Sequence, residues 1–452
     1  MYFVYSLLLT LGFLILAPKF LVDAFRGGKY VSGIRERLGF LSPLPDGSRP
    51  IIWLHCVSVG ETQAARPLLA GICERFPNYS LVVSTITSTG QKLAGEVFHD
   101  QTDKVFYFPF DWRWTVRRSL NVIRPSLVLV METELWPAFL RECQTRHIPV
   151  VLVNGRLSER SFRRYRVIKR FISRVLSCLQ LVIVQTKTDA EKFRRLGFAK
   201  DRLFVSGSLK FDAGGIAVPR PLTEAFRVRF NPDNLPMILA ASTHGPEEQI
   251  ILQAFQQLKL KSTGKLKLLV APRHPDRFAD VAAQIRASGL TWACRSQTEA
   301  PGDRDCDVVL LDTIGELPAF YSLATIVFVG GSITKSGGHN ILEPATVGAC
   351  IVTGANTHNF EYIVDAFETA DAIVQLPPQS YEEAGSEVAR VFELLLADPQ
   401  RRQELGTRAK QLVNENLGAT DRTLDLIATR IFQLPVVKEE VHLLTAQNAH
   451  SA

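Results

Sequence analysis

Ile51-Ile52-Trp53-Leu54-His55-Cys56-Val57-Ser58-Val59-Gly60-Glu61 is the stretch that decides the architecture. It opens on four apolar residues with no alternation of polar and apolar. That pattern predicts a strand buried on both faces, as inside a parallel sheet. The polar residues and glycine that follow predict a turn into a helix from Thr62. The same unit recurs downstream. Short apolar runs at 81–84, 105–108, 127–131, 150–153 and 181–184 leave room for a crossover helix each time. After 203–205 a second set begins, at 237–241, 266–270, 308–311, 326–329, 351–352 and 373–374. Gly214, Gly215, Pro219, Pro221 and Pro232 mark 211–236 as an interdomain linker. The reading is an α/β chain of two doubly wound, Rossmann-like domains, 35–210 and 237–434, with a tail at 435–452. Two such domains place a cleft between their strand ends, where open α/β sheets bind ligands.

Composition narrows the class. The 452 residues are 46% hydrophobic and 21% charged, which excludes a disordered or fibrous chain. Seven scattered cysteines without a C-x-x-C pair argue against a disulfide framework and a cysteine zinc site. The net charge of +7 is uneven: residues 1–200 carry 29 Lys and Arg against 15 Asp and Glu, the remainder 23 against 30. The first domain is built to meet something anionic. Residues 1–17 hold no charge and are closed by Pro18 and Lys19, with Arg26, Lys29, Arg35 and Arg37 beyond. A membrane-anchor helix over 1–18 is expected, with the following chain staying on the cytoplasmic side. A cleaved signal peptide and a buried helix are the rival readings.

The unusual residues cluster just after the strands. Ser58 and Glu61 have the spacing of a capping box, and equally of a general base held at a helix start. Glu132 and Glu134, beside Trp136, either orient sugar hydroxyls or form a solvated turn. Asn154-Gly155-Arg156 opens a basic helix carrying eight cations from Arg156 to Arg174 and one acid, Glu159. Lipid headgroups or substrate phosphates would suit it, and no nucleic-acid module accompanies it. Phe162, Tyr165, Ile168, Ile172 and Val175 recur there at helical spacing, as a core-facing stripe does. In the second half, Gly330-Gly331-Ser332 leads to Gly337-Gly338-His339-Asn340-Ile341-Leu342-Glu343-Pro344. A helix starting near Asn340 would aim N–H groups at an anion, and Pro344 fits only a first turn. A plain glycine turn is the alternative. Asp303, Asp305 and Asp307 precede a strand and read as a solvated loop, so no metal is expected.

Taken in order, these motifs resemble the bacterial Kdo transferases, which move 3-deoxy-D-manno-octulosonic acid (Kdo) from CMP-Kdo onto lipid A precursors. The resemblance rests on S-V-G-E (58–61), E-T-E-L-W-P (132–137), N-x-R-L-S-x-R-S (154–161), G-x-L-K-F-D (207–212), A-S-T-H (241–244), P-R-H-P-x-R-F (272–278), G-G-S (330–332) and G-G-H-N-x-L-E-P (337–344). It implies a GT-B fold, an inner-membrane anchor, no cofactor, and metal-independent transfer with inversion onto a lipid A precursor such as lipid IVA. By motif, Glu61 is the implied base. Pro272, Arg273, Ile314, Gly315, Glu316, Asn340, Ile341, Leu342 and Glu343 are the implied nucleotide site. Ser58, Gly60, Glu132, Glu134, Arg156, Lys210, His244, Gly337 and Gly338 are implied acceptor or donor-sugar contacts, and anionic membrane lipids are implied partners. The chain departs from the pattern at Ser208, at Leu311 and Ile314, and where His244-Gly245-Pro246-Glu247-Glu248 stands for His-x-Gly-Glu-Glu.

Overall fold

Trp53 shows why the decisive stretch lacks alternation. It is fully buried on one face of its strand with Ile51, while Ile52 and Leu54 are buried on the other. The computed structural model describes residues 2, 5–15, 33–44, 49–213, 220–231, 233–261 and 265–434. The chain divides into two units, Met1–Leu209 with Gly418–Ala452, and Lys210–Leu417.

In the first unit the strands are β1 (Ile51–His55), β2 (Ser80–Thr85), β3 (Lys104–Tyr107), β4 (Leu127–Met131), β5 (Val150–Gly155), β6 (Leu181–Val184) and β7 (Leu203–Val205). They form one parallel sheet in the order β3-β2-β1-β4-β5-β6-β7. Ile52 pairs with Leu127 and Trp53 with Val128. The chain starts in the middle, builds outward through β2 and β3, then returns to the other side of β1 at β4. The switch point, where such sheets bind ligands, lies between β1 and β4.

The second unit repeats the plan with β8 (Met237–Thr243), β9 (Lys267–Pro272), β10 (Trp292–Cys294), β11 (Val308–Leu310), β12 (Ile326–Val329), β13 (Ile351–Thr353) and β14 (Val374–Gln375). The order β10-β11-β9-β8-β12-β13-β14 puts its switch point between β8 and β12. The edge strand β10 is the one absent from the sequence reading. It reads Trp292-Ala293-Cys294, with none of the β-branched residues that mark the equally short β11 and β13.

The expected linker, 211–236, is divided differently by the structure. Residues 214–219 and 232 lie outside the described residues. The helix Arg220–Phe230 packs Phe226 and Phe230 into the second core beside Phe211 and Phe320. At the other end, the helix Ala419–Arg430 belongs to the first unit. Ala419, Leu424 and Ile427 enter its core, and Arg75 binds Asp421 and Asp425 at 2.6 and 2.5 Å. The described second unit therefore stops at Leu417 instead of 434. The tail at 435–452 lies outside the described residues.

Residues 5–15 are helical; residues 1, 3, 4 and 16–18 of the expected anchor lie outside the described residues. Among the described residues no helix is long and apolar enough to cross a membrane, so a single-pass anchor is not supported. One face of residues 5–15 packs on the first unit. The Tyr5 hydroxyl donates to Asp111 at 2.8 Å, Thr10 accepts from the Trp112 indole at 3.1 Å, and Phe13 lies 5.0 Å from Trp112. The other face leaves Leu7, Leu8, Leu11, Leu14 and Ile15 exposed.

Candidate functional site

At the switch point of the first sheet, β1 runs out through His55 and Cys56 into the helix Val59–Ala64. Ser58 caps that helix, its Oγ accepting from the Glu61 N–H at 3.4 Å. The Glu61 carboxylate accepts from the Val57 N–H at 2.9 Å and the Ser58 hydroxyl at 3.2 Å, reaching back over the helix start in the manner of a capping box. Glu61 is only 6% exposed. Burial, reinforced by Glu132 and then Glu134 from the end of β4, pushes its carboxyl up to about 8. Glu134 is raised for the same reasons, burial first and then Glu132. Three carboxyl groups around one switch point thus hold Glu61 poised to exchange a proton near neutral pH.

The turn carrying Glu132 and Glu134 is tied to the next motif. Glu132 takes a left-handed conformation, φ 51°, and Thr133 exchanges hydrogen bonds with the backbone N–H and C=O of Arg156. Asn154, also left-handed at φ 55° and fully buried, accepts from the Leu209 N–H at 3.0 Å. This joins N-x-R-L-S to G-x-L-K-F-D, a role the sequence reading did not assign. Gly60 lies in the first turn beside Ser58. The basic stretch is two helices, Glu159–Val167 and Lys169–Leu176, broken at Ile168. Phe162, Ile172 and Val175 are buried as expected, but the break turns Ile168 outward, 49% exposed beside Val167 at 85%.

At the switch point of the second sheet the decisive side chain is Glu247, which motif reading passed over. It is fully buried and accepts from the N–H groups of His244 (3.0 Å), Gly331 (2.7 Å), Ser332 (2.9 Å), Ile333 (2.8 Å) and Thr334 (3.4 Å). The backbone nest after β12 is therefore filled by the chain's own carboxylate. A Cβ on Gly330 would stand 2.7 Å from the Ser242 carbonyl oxygen, so that glycine serves close approach of backbone to backbone. Gly337 and Gly338, at φ 92° and 75°, serve the turn against Thr357, His358 and Asn359. Two adjacent acids opening a helix, Glu247 and Glu248, were the available signal.

The residues expected to form the nucleotide site all lie in this second unit. Pro272 ends β9, and the Arg273 N–H bonds the Thr243 carbonyl at 3.0 Å. Ile314 is 79% exposed, an isolated apolar surface beside Gly315 at φ 84°. Glu316 is engaged by Arg295 at 3.2 Å and by the Thr313 hydroxyl at 2.7 Å. The helix Leu342–Thr346 starts as expected, with Pro344 in its first turn. Asn340 Oδ1 accepts from the Leu342 N–H, Asn340 Nδ2 donates to Glu343, and the Tyr321 hydroxyl donates to Glu343. Ile341 and Leu342 are buried beneath the turn, while Lys210 lies 5.8 Å from the Phe360 ring. His244 and His339 face each other across the switch point.

Asp303, expected in a solvated loop, is instead 5% exposed and bound to Arg229 at 2.7 Å. Asp305 and Asp307 face Lys265 and Lys259. Among the described residues no group of three His, Cys, Asp or Glu is placed to hold a metal ion. All seven cysteines are free.

Two Rossmann-like units, each with its polar cluster at a switch point, define a protein of the GT-B class. A solved structure of a UDP-N-acetylglucosamine 2-epimerase-like protein from Listeria monocytogenes shares the fold, with a TM-score of 0.55 at 13% identity, covering 86% of this chain and 99% of that one. The family model for 3-deoxy-D-manno-octulosonic-acid transferase matches residues 32–213. A 3-deoxy-D-manno-octulosonic acid transferase of Haemophilus influenzae is 34% identical over 430 residues, 94% of this chain and 97% of that one. One of Bordetella pertussis is 32% identical over 395 residues, 86% and 89% of the two chains. The chain belongs to the 3-deoxy-D-manno-octulosonic acid transferase family, a family of glycosyltransferases.

Proposed function

We propose that the protein transfers Kdo from CMP-Kdo to a lipid A precursor such as lipid IVA, by metal-independent displacement with inversion, with Glu61 as general base. The observation that carries this is the buried Glu61 carboxyl, raised to about 8 at the switch point of the first sheet beside Glu132 and Glu134. A base of that strength takes the proton of a sugar hydroxyl as the oxygen attacks, help worth about 10²–10⁴-fold. Ser58, Gly60 and the Glu132–Glu134 turn then contact the acceptor.

The donor nucleotide belongs to the second unit. Arg273 and the Asn340 turn take the phosphate, Ile314 packs the base beside Gly315 and Glu316, and Glu343 takes ribose hydroxyls. Negative charge builds on the phosphate as it leaves, so a fixed guanidinium and oriented N–H groups favour the transition state over the ground state. His244 and Lys210 are the donor-sugar contacts. Association with the inner membrane follows from the exposed leucine face of residues 5–15, lying in the lipid interface, and from the cations of residues 156–174 on anionic headgroups. The catalytic units then stand on the cytoplasmic side.

Incubating Glu61→Ala with CMP-Kdo and a tetraacylated lipid A precursor, with mass spectrometry of the product, tests the assignment. Turnover is expected to fall by about 10²–10⁴-fold while calorimetric CMP affinity stays within about twofold. Equal loss of CMP binding would refute the division of tasks.

A further inference from the structure

His244, at the end of β8, and His339, in the glycine loop after β12, bring their Nε2 atoms to 2.7 Å with ring planes 8° apart. At that separation one nitrogen carries a hydrogen and the other presents its lone pair. Two imidazolium rings cannot face each other so, and the pair therefore holds at most one added proton. The groups facing it are Arg273 and His274 beyond β9, and Arg277 and Glu248. The His274 ring lies 5.2 Å from that of His244, and Glu248 is held by Arg277 at 3.1 Å. With no anion present, burial and the neighbouring cations keep the pair neutral. His244 is lowered by burial and then His274, and His339 falls to about 3 through burial, His244 and Arg273.

An anion placed beside Arg273 reverses that balance. We propose that the His244–His339 pair takes up one proton when a phosphomonoester dianion binds next to Arg273, making the site selective for the leaving phosphate over the donor's phosphate. This rests on the nucleotide-site reading above and adds a charge test to it. In the donor the phosphate is a diester with one negative charge. During transfer the acceptor O–H bond breaks and its proton goes to Glu61, while the oxygen bonds the anomeric carbon. The bond from that carbon to the phosphate oxygen breaks, its electron pair stays on the phosphate, and the phosphate becomes a dianion. A monoester has its second pKa near ~6, so the second charge persists at neutral pH. One proton taken from solvent by the histidine pair matches the charge that appears.

Calorimetry of CMP binding at about pH 7.5, where the monoester is a dianion, in buffers of different ionisation enthalpy reads the proton directly. Wild-type protein is expected to take up close to one proton per CMP, and much less with the methyl ester of CMP, a monoanionic diester. His339→Gln and His244→Gln are expected to abolish the uptake and level the affinities for the two ligands. CMP binding without uptake, or uptake unchanged in both variants, overturns the proposal and leaves the nucleotide site standing. Failure of the wild type to bind CMP at all would overturn the nucleotide-site reading as well.

Discussion

Glu61 has two consequences of opposite sign with pH. As a base it acts in its ionised form, so kcat/KM is expected to rise about tenfold per unit below its pKa and level off above about 8. For stability the folded pKa lies above the ordinary value of 4.5, so the folded state holds the proton more tightly than the unfolded one. Its contribution is fully present below about 4.5 and is lost as pH rises through about 8. Glu61→Gln removes that dependence. Its melting temperature relative to wild type should climb between those pH values, by the equivalent of about 1–3 kcal/mol; a flat difference across that range would contradict the burial argument. Glu247 is the opposite case, a carboxylate used for structure. Glu247→Ala strands five N–H groups, four of them buried. It should cost about 3–5 kcal/mol in urea melts, with Glu247→Gln between it and wild type; a loss under ~1 kcal/mol would mean the loop finds other acceptors.

Elements were legible in proportion to how locally their cause is written. Strands β4, β6 and β12, and β1 and β8 up to their polar carboxyl ends, announce themselves because both faces are buried, so their runs are apolar wherever the neighbours lie. The Ser58 cap and the first-turn Pro344 are also local chemistry. By contrast, the meeting of His244 with His339 and of Glu247 with residues 331–334 depends on β8 lying beside β12, which no spacing encodes. The amino-terminal helix shows the same limit. Its composition reads as a span, yet Tyr5 and Phe13 are spent on Asp111, Phe110 and Trp112. Leu8 and Leu11, 63% and 47% exposed, remain for lipid. Replacing both by Gln should lower cosedimentation with anionic vesicles several-fold while stability changes by less than about 0.5 kcal/mol. Unchanged sedimentation would remove this helix from the membrane-binding account.

At the scale of the molecule, chain order and structural membership part company at the carboxyl end. The helix Ala419–Arg430 follows the whole second unit in sequence, and its amphipathic pattern does not say which sheet it covers. Its docking is specific: a Cβ on Gly71 would stand 2.4 Å from Leu424, so the glycine admits that side chain, and Arg75 holds Asp421 and Asp425 on the same face. Leu424 is 1% exposed within the core that also holds Ile52, Leu54 and Leu129. Leu424→Ala should therefore destabilise the unit made mostly of the first 209 residues, by about 2–5 kcal/mol. Hydrogen exchange locates the effect. Protection is expected to fall across β1 to β7 and to hold across β8 to β14, although residue 424 is nearer in sequence to the second set. Loss of protection in β8 to β14 instead would mean that the closing helix stabilises the sheet it follows, and the division at Leu417 and Gly418 would be misplaced.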